Sequence, residues 1–131
     1  MAKRRISAED GRAALHAVET GSTARTDVAT AVRFLLEELA ERAPGNSVEV
    51  RVPPFGATQC VPGPRHTRGT PPNVIEIDPE TWLALATGTL AWAEALDAAR
   101  VIASGSRANL DGLLPLVRRP DTQPQAETME V

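Results

Sequence analysis

The stretch that decides the fold is Asn73–Leu116, NVIEIDPETWLALATGTLAWAEALDAARVIASGSRANLDGLLPL, which divides into a short strand, two apolar helices, a second strand and a leucine-rich close. Val74-Ile75-Glu76-Ile77 is β-branched and brief, and Pro71-Pro72-Asn73 and Asp78-Pro79 bound it, so it predicts a strand with defined ends. Asp78 suits an N-cap, and Pro79 suits the first helical position, where a missing N–H costs nothing. Trp82, Leu85 and Ala86 follow at helical spacing, and Gly88 is placed to end the helix in the left-handed conformation. A second helix from Leu90 or Ala91 puts Trp92, Ala95, Leu96 and Ala99 on one face. Val101-Ile102-Ala103 predicts a strand ending at Ser104-Gly105-Ser106. Asn109 is a cap for a last short helix carrying Leu110, Leu113, Leu114 and Val117.

This order, a strand, a helix ending LATG, a second helix, a strand ending SG and a leucine-rich helix, resembles the C-terminal half of the sterol carrier protein type two domain. The run from Val50 to Leu116, with RVPPFGATQCVPGPRHTRGTPPNVIEIDPETWLALATG inside it, is most similar to a small stand-alone bacterial branch of that superfamily. The sequence departs from the pattern at Ala91, where relatives usually have a polar N-cap, and at Ala99, where they often have glycine. The resemblance implies an α+β fold: two N-terminal helices, then a mainly antiparallel sheet of four or five strands covered by helices. It also implies an apolar tunnel between sheet and helices that takes acyl chains or sterols.

Outward from that stretch, 131 residues suffice for one domain with one core. The expected division is a single domain over 1–117, helical in 1–45 and sheet with helices in 46–117, followed by a polar, disordered tail over 118–131. The formal charge is −3, and Glu9 and Asp10 fall where a signal peptide needs its apolar run, so export is not expected. The longest uncharged run, Thr81 to Ala93, is thirteen residues and contains Gly88, too short to span a bilayer. A lone cysteine, Cys60, fits a reducing cytoplasm.

In the N-terminal half, Ser7 and Asp10 open a helix from Ala8 to Glu19 with a capping-type start. A longer helix over Asp27 to Ala43, capped by Thr26, carries Val28, Val32, Leu35, Leu36 and Leu39 on one stripe. Phe34 falls on the other side, beside Glu37, Glu38 and Glu41, a charge run that predicts a solvated face. Either the first helix or a loop packs over Phe34, or Phe34 makes an oligomer contact. Ser47 to Val52 alternates as a half-buried strand, Pro53-Pro54-Phe55-Gly56 is a turn, and Ala57 to Val61 returns antiparallel.

The proline-rich loop from Pro62 to Pro72, PGPRHTRGTPP, joins two strands of one sheet and carries no acid. The net charge is +2 over 46–72 and −5 from 73 onward, so an anion would prefer this loop. By residue type alone Phe55, Trp82, Leu85, Leu90, Trp92, Leu96, Leu113 and Leu114 are core. By the resemblance they line the tunnel, with Arg65, His66 and Arg68 at its mouth holding an anionic head group. The two arginines and the histidine could equally be solvated or bonded to loop carbonyls.

The reading is therefore non-enzymatic binding of a hydrophobic small molecule. The alternative is an interaction module with a filled core, a homodimer or a domain docked on an enzyme partner through Phe34 or a sheet edge. The second implication follows from sterol-carrier-like domains fused to mycothiol-dependent enzymes. Thiol or acyl chemistry at Cys60 with His66 lacks an orienting third residue. The histidines, His16 and His66, form no ligand spacing with Cys60, so no metal is expected. No phosphate-loop or dinucleotide fingerprint calls for a cofactor, and no basic stripe interleaved with aromatics calls for nucleic acid.

Overall fold

The computed structural model describes residues 5–63 and 73–117. Helix α1 spans Ala8–Glu19 and α2 spans Arg25–Arg42, followed by strands β1 (Val48–Val52), β2 (Gly56–Cys60) and β3 (Asn73–Ile77). Helices α3 (Pro79–Thr87) and α4 (Trp92–Asp97) come next, and β4 (Val101–Ser104) completes a four-stranded sheet of order β2-β1-β3-β4. The β1–β2 and β3–β4 ladders are antiparallel and the central β1–β3 ladder is parallel, pairing Val50 with Ile75. The fold is α+β with a mixed open sheet, in agreement with the sequence reading.

Alternation assigns the two faces of the sheet. Val48, Val50 and Val52 of β1, Ile75 and Ile77 of β3, and Val101 of β4 share the covered face, and all are buried. The other face carries Glu49 and Arg51, salt-bridged at 3.2 Å, with Glu76 and an Ile102 that is 68% exposed. One covered face and one wet face is what period-two alternation produces in a single-layer sheet.

Helix α2 supplies the cover, turning Val32, Leu35, Leu36 and Leu39 to the core. Its bounds differ from the expected Asp27–Ala43. It starts at Arg25 behind an Ala24 N-cap that offers no side-chain acceptor, and Ser22 Oγ takes the Ala24 amide and donates to Asp27 instead. Phe34, on the flank of α2, is 1% exposed because α1 lies across it. Gly11 of α1 is the point of closest approach: a Cβ there would stand 2.2 Å from the Phe34 ring. Phe34 is therefore internal, and docking of a partner through it is ruled out.

Helix α1 begins as expected, with Ser7 Oγ accepting from the Asp10 amide at 3.0 Å. The α3 caps are likewise those the residues predict: Asp78 accepts from the Thr81 amide at 3.0 Å, and Gly88 closes the helix at φ +90°.

The last expected helix is not formed. Asn109 Oδ1 accepts from the Asp111 amide, so it turns the chain locally rather than capping a helix. Gly112 adopts φ +89°, and Pro115 disfavours helical geometry at Leu114 before it. Leu110 and Leu116 are buried anyway, and the amides of Leu116 and Val117 both donate to the Ala86 carbonyl at the end of α3. Arg42 fixes the segment from the other side, its Nη2 donating to the Leu116 carbonyl at 2.9 Å. The stretch is a hydrogen-bonded strap across the C-terminal ends of α2 and α3.

Candidate functional site

The eight predicted apolar residues do not line one tunnel. Trp82 is wholly buried with its indole N–H donating to the Val32 carbonyl at 3.3 Å, which welds α3 to α2. Leu96 was expected on the inner face of α4, but it is 44% exposed. The reason is that α4 is short, Trp92–Asp97, and the chain leaves it through Ala99 at φ +57°. Only Trp92 and Ala95 of that helix are buried, and Ala99 is not on its face. Phe55 folds back toward α2, with Arg25 5.0 Å above its ring and Arg33 Nε donating to its carbonyl at 2.7 Å. Leu113 is half-buried in the strap.

Four of the eight do converge. Leu85, Leu90, Trp92 and Leu114 line a cleft of about 290 Å³ between the end of α3, the start of α4 and the strap. Thr87, Gly88, Ala91, Asp111 and Pro115 complete it. The cleft follows from local rules. Gly88 ends α3 in a left-handed turn, Ala91 lets α4 start without a polar side-chain cap, and the strap crosses with Pro115 against Gly88. Glu94 supplies the missing cap in reverse, its carboxylate accepting from the Ala91 amide at 3.0 Å. Asp111 contributes the cleft's titratable side chain among the described residues.

Arg65, His66 and Arg68 lie outside the described residues. The two ends of their loop are anchored. Asn73 donates to the Ser47 carbonyl at 2.8 Å and accepts from the Arg107 amide at 2.8 Å, while Ser47 Oγ donates to the Val61 carbonyl at 2.9 Å. Gly63 packs so closely on Ser47 that a Cβ would meet its Cβ at 2.6 Å.

Cys60 is buried on the covered face of β2, and burial pushes its thiol up to about 11. A thiol so held is neutral at physiological pH and out of reach of a substrate, which argues against chemistry at Cys60. His16 sits exposed in the last turn of α1, and among the described residues no cluster of histidine, cysteine and carboxylates could hold a metal ion. No helix of the described residues is long and apolar enough to cross a membrane.

The acidic run on α2 is more than a solvated face. Glu37 accepts from the backbone amides of Arg5 and Ile6, at 3.1 and 3.2 Å, and so pins the segment that precedes α1. Asp78 stays below its ordinary carboxylate range. Desolvation raises it, but the hydrogen bonds from the Thr81 hydroxyl and amide, with the charge of Arg100, outweigh that effect. This is a structural cap, and Arg100 Nε completes it by donating to Thr81 Oγ1 at 3.1 Å.

A mixed sheet covered on one face by α2, with a cleft beside the C-terminal strap, defines a small α+β domain of the sterol-carrier type. The family model described as bacterial SCP ortholog matches residues 24–116, and the chain belongs to that family. No curated protein matches the chain.

Proposed function

We propose that the protein binds a small hydrophobic ligand, or the end of a longer one, in the cleft lined by Leu85, Leu90, Trp92 and Leu114, without catalysing its conversion. The observation that carries this reading is the open space of about 290 Å³ against those four side chains in a domain whose core is otherwise filled. An apolar cavity of about 150 Å³ accepts a benzene, so the cleft has room for a short acyl chain or a fused ring pair, not a whole sterol. Binding would be driven by removing apolar ligand surface from water at roughly 25 cal/mol per Å². Membership of a sterol-carrier family supports the class of ligand.

The head group follows from charge. Asp111 stands in the cleft wall, so the described residues favour a neutral or cationic head there. An anionic head would need Arg65, His66 or Arg68, which remain the candidates for that role. Native mass spectrometry of the protein from its own host, followed by extraction, should release a stoichiometric lipid. A fluorescent medium-chain probe should also quench or accept energy from Trp92. Leu90→Phe, which fills the cleft, should weaken that probe at least tenfold. An unchanged affinity in Leu90→Phe would place the ligand elsewhere. Arg65→Ala with Arg68→Ala should weaken an anionic probe and leave its alcohol analogue unaffected.

A second reading has its own support. The interior under the sheet is filled by Trp82, Leu35, Leu39 and Ile75, which leaves little room there for a ligand among the described residues. That favours an accessory module that engages another protein.

A further inference from the structure

We infer that the outer edge of β2, which pairs with no strand among the described residues, is a docking slot for an extended acidic peptide, added to the sheet as a further strand. The inference rests on the interaction reading and is independent of the cleft. β2 is the terminal strand of the sheet, so one side of its backbone has no strand partner among the described residues. Beside that edge is a groove of about 660 Å³, more than twice the size of the cleft. Gly56, Ala57 and Thr58 form one wall, Arg5 and Ile6 of the pinned segment the other, and Arg33 and Leu36 of α2 contribute to its lining.

The groove has a cause in the sequence. On the covered face, β1 presents Val48, Val50 and Val52, but their partners across the ladder on β2 are Cys60, Thr58 and Gly56. The inward row therefore shrinks toward the hairpin tip, where Leu36 and Arg33 of α2 come within 3.5 and 3.7 Å of a Cβ built on Gly56, and the groove opens beside that contact toward Arg5 and Ile6. An unpaired edge of this kind is a template for strand addition, in which main-chain hydrogen bonds give affinity and alternate side chains give specificity.

The charges name the occupant. Arg5 and Arg33 line the groove, and Arg25 stands above Phe55 at its end, whereas Glu37 directs its carboxylate to the amides of Arg5 and Ile6. Arg33 is exposed and is held beside the groove by its Nε bond to the Phe55 carbonyl. Guanidiniums above an apolar floor of Ile6 and Leu36 suit a strand that alternates glutamate with an aliphatic residue.

The test uses the full chain and a short fluorescein-labelled peptide alternating glutamate and valine. Anisotropy should report binding, and amide resonances of Gly56, Ala57 and Thr58 should shift. A lysine–valine peptide should bind at least tenfold more weakly. N-methylation of one alternate set of peptide residues should abolish binding while the other set is tolerated, since only one edge of the added strand pairs. Arg5→Gln, which leaves the Arg33–Phe55 anchor intact, should lower affinity about fivefold. The proposal is overturned if both methylated peptides bind alike or if the lysine peptide binds equally well. It is also overturned if sedimentation shows the chain pairing with itself through these amides, or if octanoate displaces the peptide. Trp92 fluorescence should not respond to the peptide, which keeps this test separate from that of the cleft.

Discussion

Trp82 and Trp92 stand on consecutive helices and satisfy the same sequence pattern, yet one is locked in the core and the other forms the wall of a cleft. Trp82 is 0% exposed, with α2 packed over it and its N–H bonded to Val32. Trp92 is 7% exposed, and what stands opposite is a strap without helical structure. Helical spacing tells which residues turn away from water. Whether the space they turn into is filled depends on the elements that arrive from elsewhere in the chain. A filled neighbourhood gives stability, and an incompletely filled one gives a binding surface.

The largest expected effect separates the two tryptophans directly. Trp82→Ala removes buried surface and also opens a cavity, so it should cost about 3–5 kcal/mol in urea unfolding. Trp92→Ala loses the burial term but borders space that is already open, so about 1.5–3 kcal/mol is expected. Equal losses would mean that the cleft closes around Trp92 in solution and the comparison fails.

A middle-sized effect probes the helix that the two regions share. Asp78→Ala removes the N-cap of α3 and should cost about 1 kcal/mol at neutral pH. The folded-state carboxyl titrates below its ordinary value of 3.8, so its contribution is present above that pH and lost as pH falls through the lower folded value. The gap between parent and variant should therefore narrow below about pH 4. A gap that stays constant into acid would show that the charge of Asp78 has no part in the cap.

The smallest effect lies on the cleft side. Ala99 adopts φ +57°, a conformation that costs a non-glycine residue roughly 1–2 kcal/mol, while glycine's extra freedom in the unfolded chain returns about 0.4–1 kcal/mol. Ala99→Gly should thus stabilise by about 0–1.6 kcal/mol, visible as a small upward shift in Tm. If it destabilises instead, the exit from α4 is held by contacts beyond the backbone.

Much of the architecture was legible because it is local. Ser7, Asp78, Pro79 and Gly88 carry cap and stop signals that act within one turn, and α1 and α3 have the expected ends. The alternation of Val48, Val50 and Val52 told which face of β1 is covered. The N-terminus of α2 was misjudged because Thr26 resembles a cap, whereas the cap position is Ala24, supported by Ser22. The site was less legible. Leu85, Leu90, Trp92 and Leu114 meet at one cleft between α3, α4 and the strap, while Leu96 and Phe55 lie in other surroundings. The role of Glu37 gave no signal at all, because its partners are backbone amides on a different element.

What the sequence determined by itself was the elements from α1 to β4, the caps of α1 and α3 and the family, since these rest on short-range periodicity and on residues with fixed conformational preferences. Tertiary structure decided the rest. Phe34 is internal because Gly11 lets α1 approach, and the residues after Asn109 form a strap because α2 and α3 offer Arg42 and the Ala86 carbonyl to hold them. Cys60 is withdrawn from solvent because the strand register turns it to the covered face, and that burial pushes its thiol up to about 11. The cleft and the groove lie where elements distant in the chain meet, the strap against α3 and α4 and the segment before α1 against β2, a juxtaposition that no single stretch of sequence contains.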